Sequence, residues 1–304
     1  MNDPRSPSPC RTTSAFEQLA PGTCGEFVQG YIDGQDFLVN CPVDLYSRAV
    51  VTPSQDIGLQ IAESGRFAKI ARAVDVVCRS CNVDANHHLT IDSEIPRGKG
   101  MASSTADLTA AVEAFCRSQG LALDDQQFAR VLAQVEPSDC VHFPGIAHLN
   151  HLTGALLDVL PAPQGLRVVI VDCGGEVDTV SFNREKARDV YRDNRTVISA
   201  ALELLKAGLR AGNLRAVAQA ATLSAELSQR ILFKAPFRKL LERSLAQGAL
   251  GLNCAHSGTV LGILYRETDR LGASLCRMVE AHFRSTLRLV GDHRIIGGGR
   301  FAAA

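Results

Sequence analysis

The chain has 304 residues, enough for one large domain or two of ordinary size, and its 46% hydrophobic content supports a packed core. Its 32 basic and 32 acidic residues cancel without forming a basic block, which excludes a charge-driven nucleic-acid surface. No apolar run reaches the roughly 18 residues of a membrane span, no charged-then-apolar leader opens the chain, and ten scattered cysteines fit reduced thiols better than a disulfide framework. Neither nucleic acid nor membrane is therefore expected as a partner, and a cytoplasmic location is.

Residues 1–14 are rich in proline and hydroxyl residues and carry almost nothing apolar, so they read as a disordered tail. The stretch Ala20 to Gly30 holds three glycines and one carboxylate, Glu26, among small residues, and reads as an open loop that lets a ligand approach the backbone. Phe37 to Val51 is strand-like, with Pro42 marking an edge or a bulge and Asp44 sharing a face with Tyr46. Short strands are expected over 57–61 and 88–91, with a helix over 67–78 between them. A helix from Ser103 to about Gln119 is written in Leu108, Ala111, Val112 and Phe115, and a second in Phe128, Val131, Leu132 and Val135. Strands are expected over 153–160 and 167–172. From Arg184 onward the pattern turns helical, and the shift near Asn183 sets an expected boundary between domains 15–183 and 184–304. The last segment alternates strands (250–255, 259–265), a helix (269–283) and a strand (286–290), a βαβ-like layer.

The most informative stretch is Ile95-Pro96-Arg97-Gly98-Lys99-Gly100-Met101-Ala102-Ser103-Ser104-Thr105-Ala106. A basic glycine loop feeds a helix N-terminus, where unpaired N–H groups and the helix dipole favour a phosphate. Ser and Thr are also preferred as ordinary helix caps, so this stretch alone admits both readings. The familiar G-x-x-x-x-G-K-[ST] loop is absent because Lys99 is followed by Gly100.

Taken with the glycine-rich stretch Pro21 to Gly30 before it and Asn253-Cys254-Ala255-His256-Ser257-Gly258-Thr259-Val260-Leu261-Gly262 far downstream, this loop resembles the three motifs of the GHMP kinase superfamily, in the superfamily's order along the chain. Within it, Pro21 to Gly30, Cys41-Pro42-Val43-Asp44 and Glu136-Pro137-Ser138-Asp139 look most like the corresponding stretches of bacterial L-threonine kinases. The resemblance covers roughly residues 16–301. It implies an α+β two-domain GHMP kinase fold, with an N-terminal nucleotide-binding α/β layer like domain 2 of ribosomal protein S5 and a ferredoxin-like C-terminal domain. It implies ATP and Mg²⁺, and a small-molecule acceptor, L-threonine, phosphorylated on its hydroxyl for the cobalamin side chain; a homodimer is compatible with this picture. The phosphates would lie on Pro96 to Thr105. Met101-Ala102 stands where Leu-Gly is usual and Thr105 where Ala is usual, and Ala102 thereby loses a glycine's backbone freedom.

Phosphoryl transfer needs charge neutralisation, a bridging metal and a way to remove the acceptor's proton. Ser104, with Ser103 as rival, and Glu136 are the expected Mg²⁺ ligands. Lys99 is either a point charge near the phosphates or a solvated lysine. The resemblance carries the role of base, or orienter of the hydroxyl, to Asp139, whose alternative is a turn aspartate. An amino-acid substrate brings an ammonium that needs a carboxylate, for which Glu26 and Asp44 compete. Ser257 and Gly258 are expected to close the site. Cys78 and Cys81 with His87 and His88 lack a regular zinc spacing, and His142, His148 and His151 read as structural or surface residues more readily than as catalytic ones. A kinase for homoserine or a mevalonate-type acid, and a non-catalytic sensor on the same fold, remain the alternatives.

Overall fold

The computed structural model describes residues 15–61, 67–175 and 183–302; the tail expected over 1–14 lies outside them. The framework begins with two long strands, β1 (Phe16–Ile32) and β2 (Gln35–Pro53). They are joined at Asp33-Gly34, both with positive φ, the two-residue hairpin turn whose twist matches that of the strands. The open loop expected over 20–30 is therefore a strand. Its register slips at Pro21/Gly22, Thr23/Glu26 and Glu26/Val28, so bulges absorb the glycines while pairing continues on either side. Pro42 sits beside one of these slips, as a bulge residue should.

Next come β3 (Leu59–Ile61), α1 (Ala68–Cys81), β4 (His87–Ser93), α2 (Ser103–Ser118) and α3 (Asp125–Ala133). A capping box fixes the start of α3: Asp124 accepts from Gln127 N–H and the Gln127 side chain accepts from Asp124 N–H. The hairpin β5 (Ile146–Asn150) and β6 (Ala155–Leu160) pairs onto β2, and β7 (Leu166–Asp172) follows. Strand β5 carries no alternating pattern, because it is buried along nearly its whole length. The helices α4 (Arg184–Asp193), α5 (Arg195–Ala211), α6 (Leu214–Ser228) and α7 (Phe237–Ala246) lead to β8 (Gly251–Cys254), β9 (Val260–Arg266), α8 (Gly272–Phe283), β10 (Arg288–Arg294) and the short β11 (Phe301–Ala302).

One sheet runs β10-β7-β9-β8-β1-β2-β4-β3, with β11 added on β1. Strands β9 and β10 both pair antiparallel with β7 between them, so β9-α8-β10 is the split βαβ unit of a ferredoxin-like layer. Hydrogen bonding crosses the boundary expected near Asn183, since β7 lies before it and both of its partners after it. The result is an α+β fold. Helix α2 packs on β1 and β2 and is buried nearly all round, including the Leu108, Ala111, Val112 and Phe115 that predicted it. No helix among the described residues is long and apolar enough to cross a membrane.

The residue before α2, Ala102, has φ 57° and ψ 26°, the left-handed region in which a Cβ crowds the following carbonyl. Glycine relieves that strain of about 1–2 kcal/mol at the cost of a more flexible unfolded chain. Ala102→Gly is therefore expected to stabilise the fold by about 0.5–1 kcal/mol in urea unfolding; a lower midpoint would mean that the alanine methyl contributes packing that outweighs the strain.

Candidate active site

Between β4 and α2 the chain makes the phosphate-type loop, with Gly98 at φ 68° and Gly100 at φ 76°. The cap position of α2 falls on Ala102, which has no side-chain cap, so Ser103 and Ser104 are the first helical residues and not caps. The ordinary-cap reading fails on this point. The first N–H groups of α2 are left without a side-chain partner and face a cavity of about 460 Å³ lined by Gly98 and by Gly100 through Thr105. Arg97 does not reach into this cavity: its guanidinium pairs with the buried Asp107 carboxylate at 2.7 Å, one turn into α2, and lies over the Phe67 ring. Ser47 donates to the same carboxylate at 2.6 Å. Arg97 thus anchors the loop to its helix.

The first and third motifs grip this loop through their backbones. Thr23 N–H donates to the Met101 carbonyl at 3.0 Å, and Thr259 N–H to the Lys99 carbonyl at 2.9 Å. Gly258 lies so close that a Cβ there would sit 2.3 Å from the Lys99 carbonyl oxygen and 2.4 Å from the Gly100 Cα. The Lys99 ammonium turns away from the cavity, 3.2 Å from the Asp172 carboxylate and bonded to the Gly175 carbonyl. Burial would raise the Asp172 pKa, but hydrogen bonds from Thr259, Gly174 and Lys99 outweigh it and hold the carboxyl below its usual value. Lys99 is thus a strut, neither solvated nor turned toward the phosphate face.

Opposite the loop, Ser104 donates to Glu136 Oε1 at 2.5 Å, and the Lys69 ammonium pairs with Glu136 Oε2. Asp139 lines the same cavity. Its turn is fixed by Asn40, which donates to the Asp139 carbonyl at 3.3 Å, and by Ser138 N–H, which donates to the His151 carbonyl at 3.2 Å. Burial, reinforced by the like charges of Glu26 and Glu136, pushes the Asp139 carboxyl up to about 7.

At the third wall, Glu26 Oε2 accepts from His256 N–H at 2.9 Å and from His256 Nδ1 at 2.8 Å, both residues being buried. Burial works against a charged His256, but the neighbouring Cys254 and Glu26 outweigh it and raise its pKa to about 10. Asp36 reaches the cavity already paired with Arg188. Arg184, at the start of α4, lines the cavity and makes no ion pair among the described residues.

Of the residues expected at the site, Glu26, Gly98, Gly100 to Ser104, Thr105, Glu136, Asp139 and Ser257 line one cavity. Pro96, Arg97, Lys99 and Gly258 shape the loop from outside it. Asp44 is elsewhere, accepting from His293 Nδ1 at 3.2 Å and from Arg294 N–H at 2.9 Å. His142 is packed between Phe128 and Phe143, and His148 lies against Phe37; burial lowers their pKa values to about 3 and about 4, so both are neutral core groups. His87 and His88 bond to Ser118 and Ser54. Lys69, Asp36, His151 and Arg184 are cavity residues that no motif announced.

Residues 68–144 match the GHMP kinases N terminal domain family. A Salmonella typhimurium protein named L-threonine kinase is 30% identical over 244 residues, covering 80% of this chain and 81% of its own. The chain belongs to the GHMP kinase family. It is accordingly a phosphotransferase with an alcohol as acceptor and ATP as donor. An L-threonine kinase of Citrobacter freundii is 29% identical over 92% of this chain and 96% of its own. Among solved structures, a homoserine kinase of Cytophaga hutchinsonii superposes with a TM-score of 0.77 at 15% identity, covering 98% of this chain and 100% of that one.

The contact between Gly258 and the loop leaves no room for a methyl group, and the atoms that would have to move are backbone. Gly258→Ala is expected to push the Lys99–Gly100 segment toward the cavity and raise KM for ATP about tenfold or more, while the protein still unfolds cooperatively on heating. Normal ATP kinetics in that variant would mean the loop does not carry the nucleotide.

Proposed function

We propose that the protein transfers the γ-phosphoryl group of ATP to the side-chain hydroxyl of L-threonine, giving O-phospho-L-threonine for the side chain of adenosylcobalamin. The observation that carries the acceptor is the pairing of opposite charges on one cavity: a fixed carboxylate, Glu26, and a guanidinium, Arg184, that has no ion pair among the described residues, both beside the phosphate loop. Such a frame suits a zwitterion, whose ammonium and carboxylate each need a partner once desolvated. A mevalonate-type acid has no ammonium and leaves Glu26 unused. The names of the relatives add to this reading, and the cobalamin destination rests on the resemblance of Pro21 to Gly30, Cys41 to Asp44 and Glu136 to Asp139 alone.

Ser104 and Glu136 form an all-oxygen pair facing the loop, the donor chemistry Mg²⁺ takes, and Lys69 already supplies positive charge at the Glu136 carboxylate. Bound there, Mg²⁺ would neutralise the β- and γ-phosphate oxygens. The N–H groups of the first turn of α2 hold the phosphates. Asp139, whose carboxyl titrates near neutrality, takes the proton of the attacking hydroxyl. The hydroxyl oxygen forms its bond to phosphorus as the bond to the ADP oxygen breaks.

A coupled assay of ADP release with L-threonine, L-homoserine, L-serine and mevalonate is expected to rank L-threonine first by kcat/KM; preference for homoserine would overturn the acceptor. Ser104→Ala and Glu136→Gln are each expected to lower kcat by about 10²-fold or more in a folded protein. Near-normal turnover in either removes that residue from the metal-binding set.

The base form of Asp139 is the ionised one, so kcat/KM is expected to fall as pH drops below about 7, approaching tenfold per unit. The same raised pKa opposes folding once the group ionises: relative to an unfolded value near 3.8, stability is lost as pH climbs toward 7. Asp139→Asn is thus expected to melt at a higher temperature than the native protein at pH 8, with an advantage that shrinks toward pH 4, while turnover falls by orders of magnitude. An unchanged rate would assign proton removal to another group.

A further inference from the structure

Behind Glu26 lies a buried chain of hydrogen bonds that the transfer chemistry does not use. Gln29 N–H donates to Ser224 Oγ at 3.2 Å, and Ser224 Oγ lies 2.9 Å from His256 Nε2. His256 Nδ1 lies 2.8 Å from Glu26 Oε2. Since a carboxylate only accepts, Nδ1 carries a proton. The serine–histidine–glutamate order is that of a hydrolase triad, but Ser224 is fully buried on α6, so it offers no nucleophile to a substrate.

What the chain does is use up one oxygen of Glu26 and leave the other. Both bonds from His256, through N–H and Nδ1, go to Oε2; Oε1 has no partner among the described residues, while Glu26 lines the cavity. An imidazole anchored at Nε2 by a helix residue and at Nδ1 by the carboxylate cannot rotate without breaking both contacts. The carboxylate is consequently held in one orientation before any acceptor arrives.

We propose that His256 is a positioning residue which, latched by Ser224, orients Glu26 so that Oε1 is presented to the ammonium group of the acceptor. The proposal rests on the reading of Glu26 as the ammonium's carboxylate and adds the device that makes it selective. An acceptor with a hydroxyl in place of the ammonium, such as 2,3-dihydroxybutanoate, gives Oε1 only a neutral donor where threonine gives a charged one.

The test is steady-state kinetics on the full-length protein, varying L-threonine and ATP separately, with 2,3-dihydroxybutanoate as the second acceptor. His256→Ala is expected to raise KM for L-threonine at least tenfold with KM for ATP within twofold, and to narrow the preference for threonine over the dihydroxy acid. His256→Asn, whose side-chain N–H takes the place of Nδ1, is expected to recover most of the loss. Ser224→Ala, which leaves the His256–Glu26 bond intact but unlatched, is expected to raise the threonine KM severalfold, and it decides the matter if His256→Ala does not fold. Glu26→Gln serves as the control for the underlying reading. If it leaves KM for L-threonine unchanged, Glu26 does not bind the ammonium and both ideas fall. If it raises that KM while His256→Ala and Ser224→Ala do not, or while they raise the threonine and ATP constants alike, only the positioning role is overturned.

Discussion

The active cavity depends on three segments, far apart in the chain, whose backbones meet at glycines. Gly258 lies against Lys99 and Gly100, Gly25 against the backbone of Ala255, and Gly22 against the Met101 carbonyl, each at a distance that a Cβ would violate or strain. Close packing of this kind transmits displacement because the interior has no slack. The phosphate loop is therefore held as a rigid cradle, and its helix-terminal N–H groups point at a fixed place. Arg97 and Lys99 belong to this support: their charges are spent on Asp107 and Asp172, and the cradle is left to backbone dipoles.

Around that cradle, carboxylates of the same chemical kind are given different states by their neighbours. Glu26 is compensated by His256, Glu136 by Lys69 and the Ser104 hydroxyl, and Asp36 by Arg188. Asp139 has no ion pair among the described residues, and burial together with two nearby carboxylates raises its pKa toward neutrality. Under the proposed function, a metal ligand, an ammonium holder and a proton acceptor would thus differ in what compensates them, which is how one cavity can assign separate roles to like groups.

Much of this was legible along the chain. The periodicity of Leu108, Ala111, Val112 and Phe115 placed α2, and the glycine-serine spacing before it placed the loop that enters it, because helix period and loop conformation are local properties. The α+β class followed from the resemblance of the motifs to those of GHMP kinases, and the alternation of elements in the last segment added a βαβ-like layer. The first motif reads as an open loop along the chain, since glycine and proline weaken local strand preference; it is a strand because β2 and β8 flank it. Strand β5 was missed for a related reason: burial on both faces erases the alternation that would announce it. Asp44 and Glu26 were equivalent as carboxylates on paper, and only the bulged register of β1 sends Glu26 to the cavity while Asp44 meets β10.

The sequence by itself determined which residues have the chemistry of a kinase: the glycine loop, the hydroxyls that follow it, and the acidic turn. Those are short-range patterns, carried by spacing within a dozen residues. Tertiary structure alone decided which charges are spent and which are free. Arg97 and Lys99 were silenced by partners that include a carboxylate more than seventy residues away, Arg184 was brought to the cavity with no ion pair among the described residues, and His256 was set 230 positions from Glu26 to orient it. The free energy of a buried charge depends on what surrounds it in three dimensions, and spacing along the chain carries no record of that.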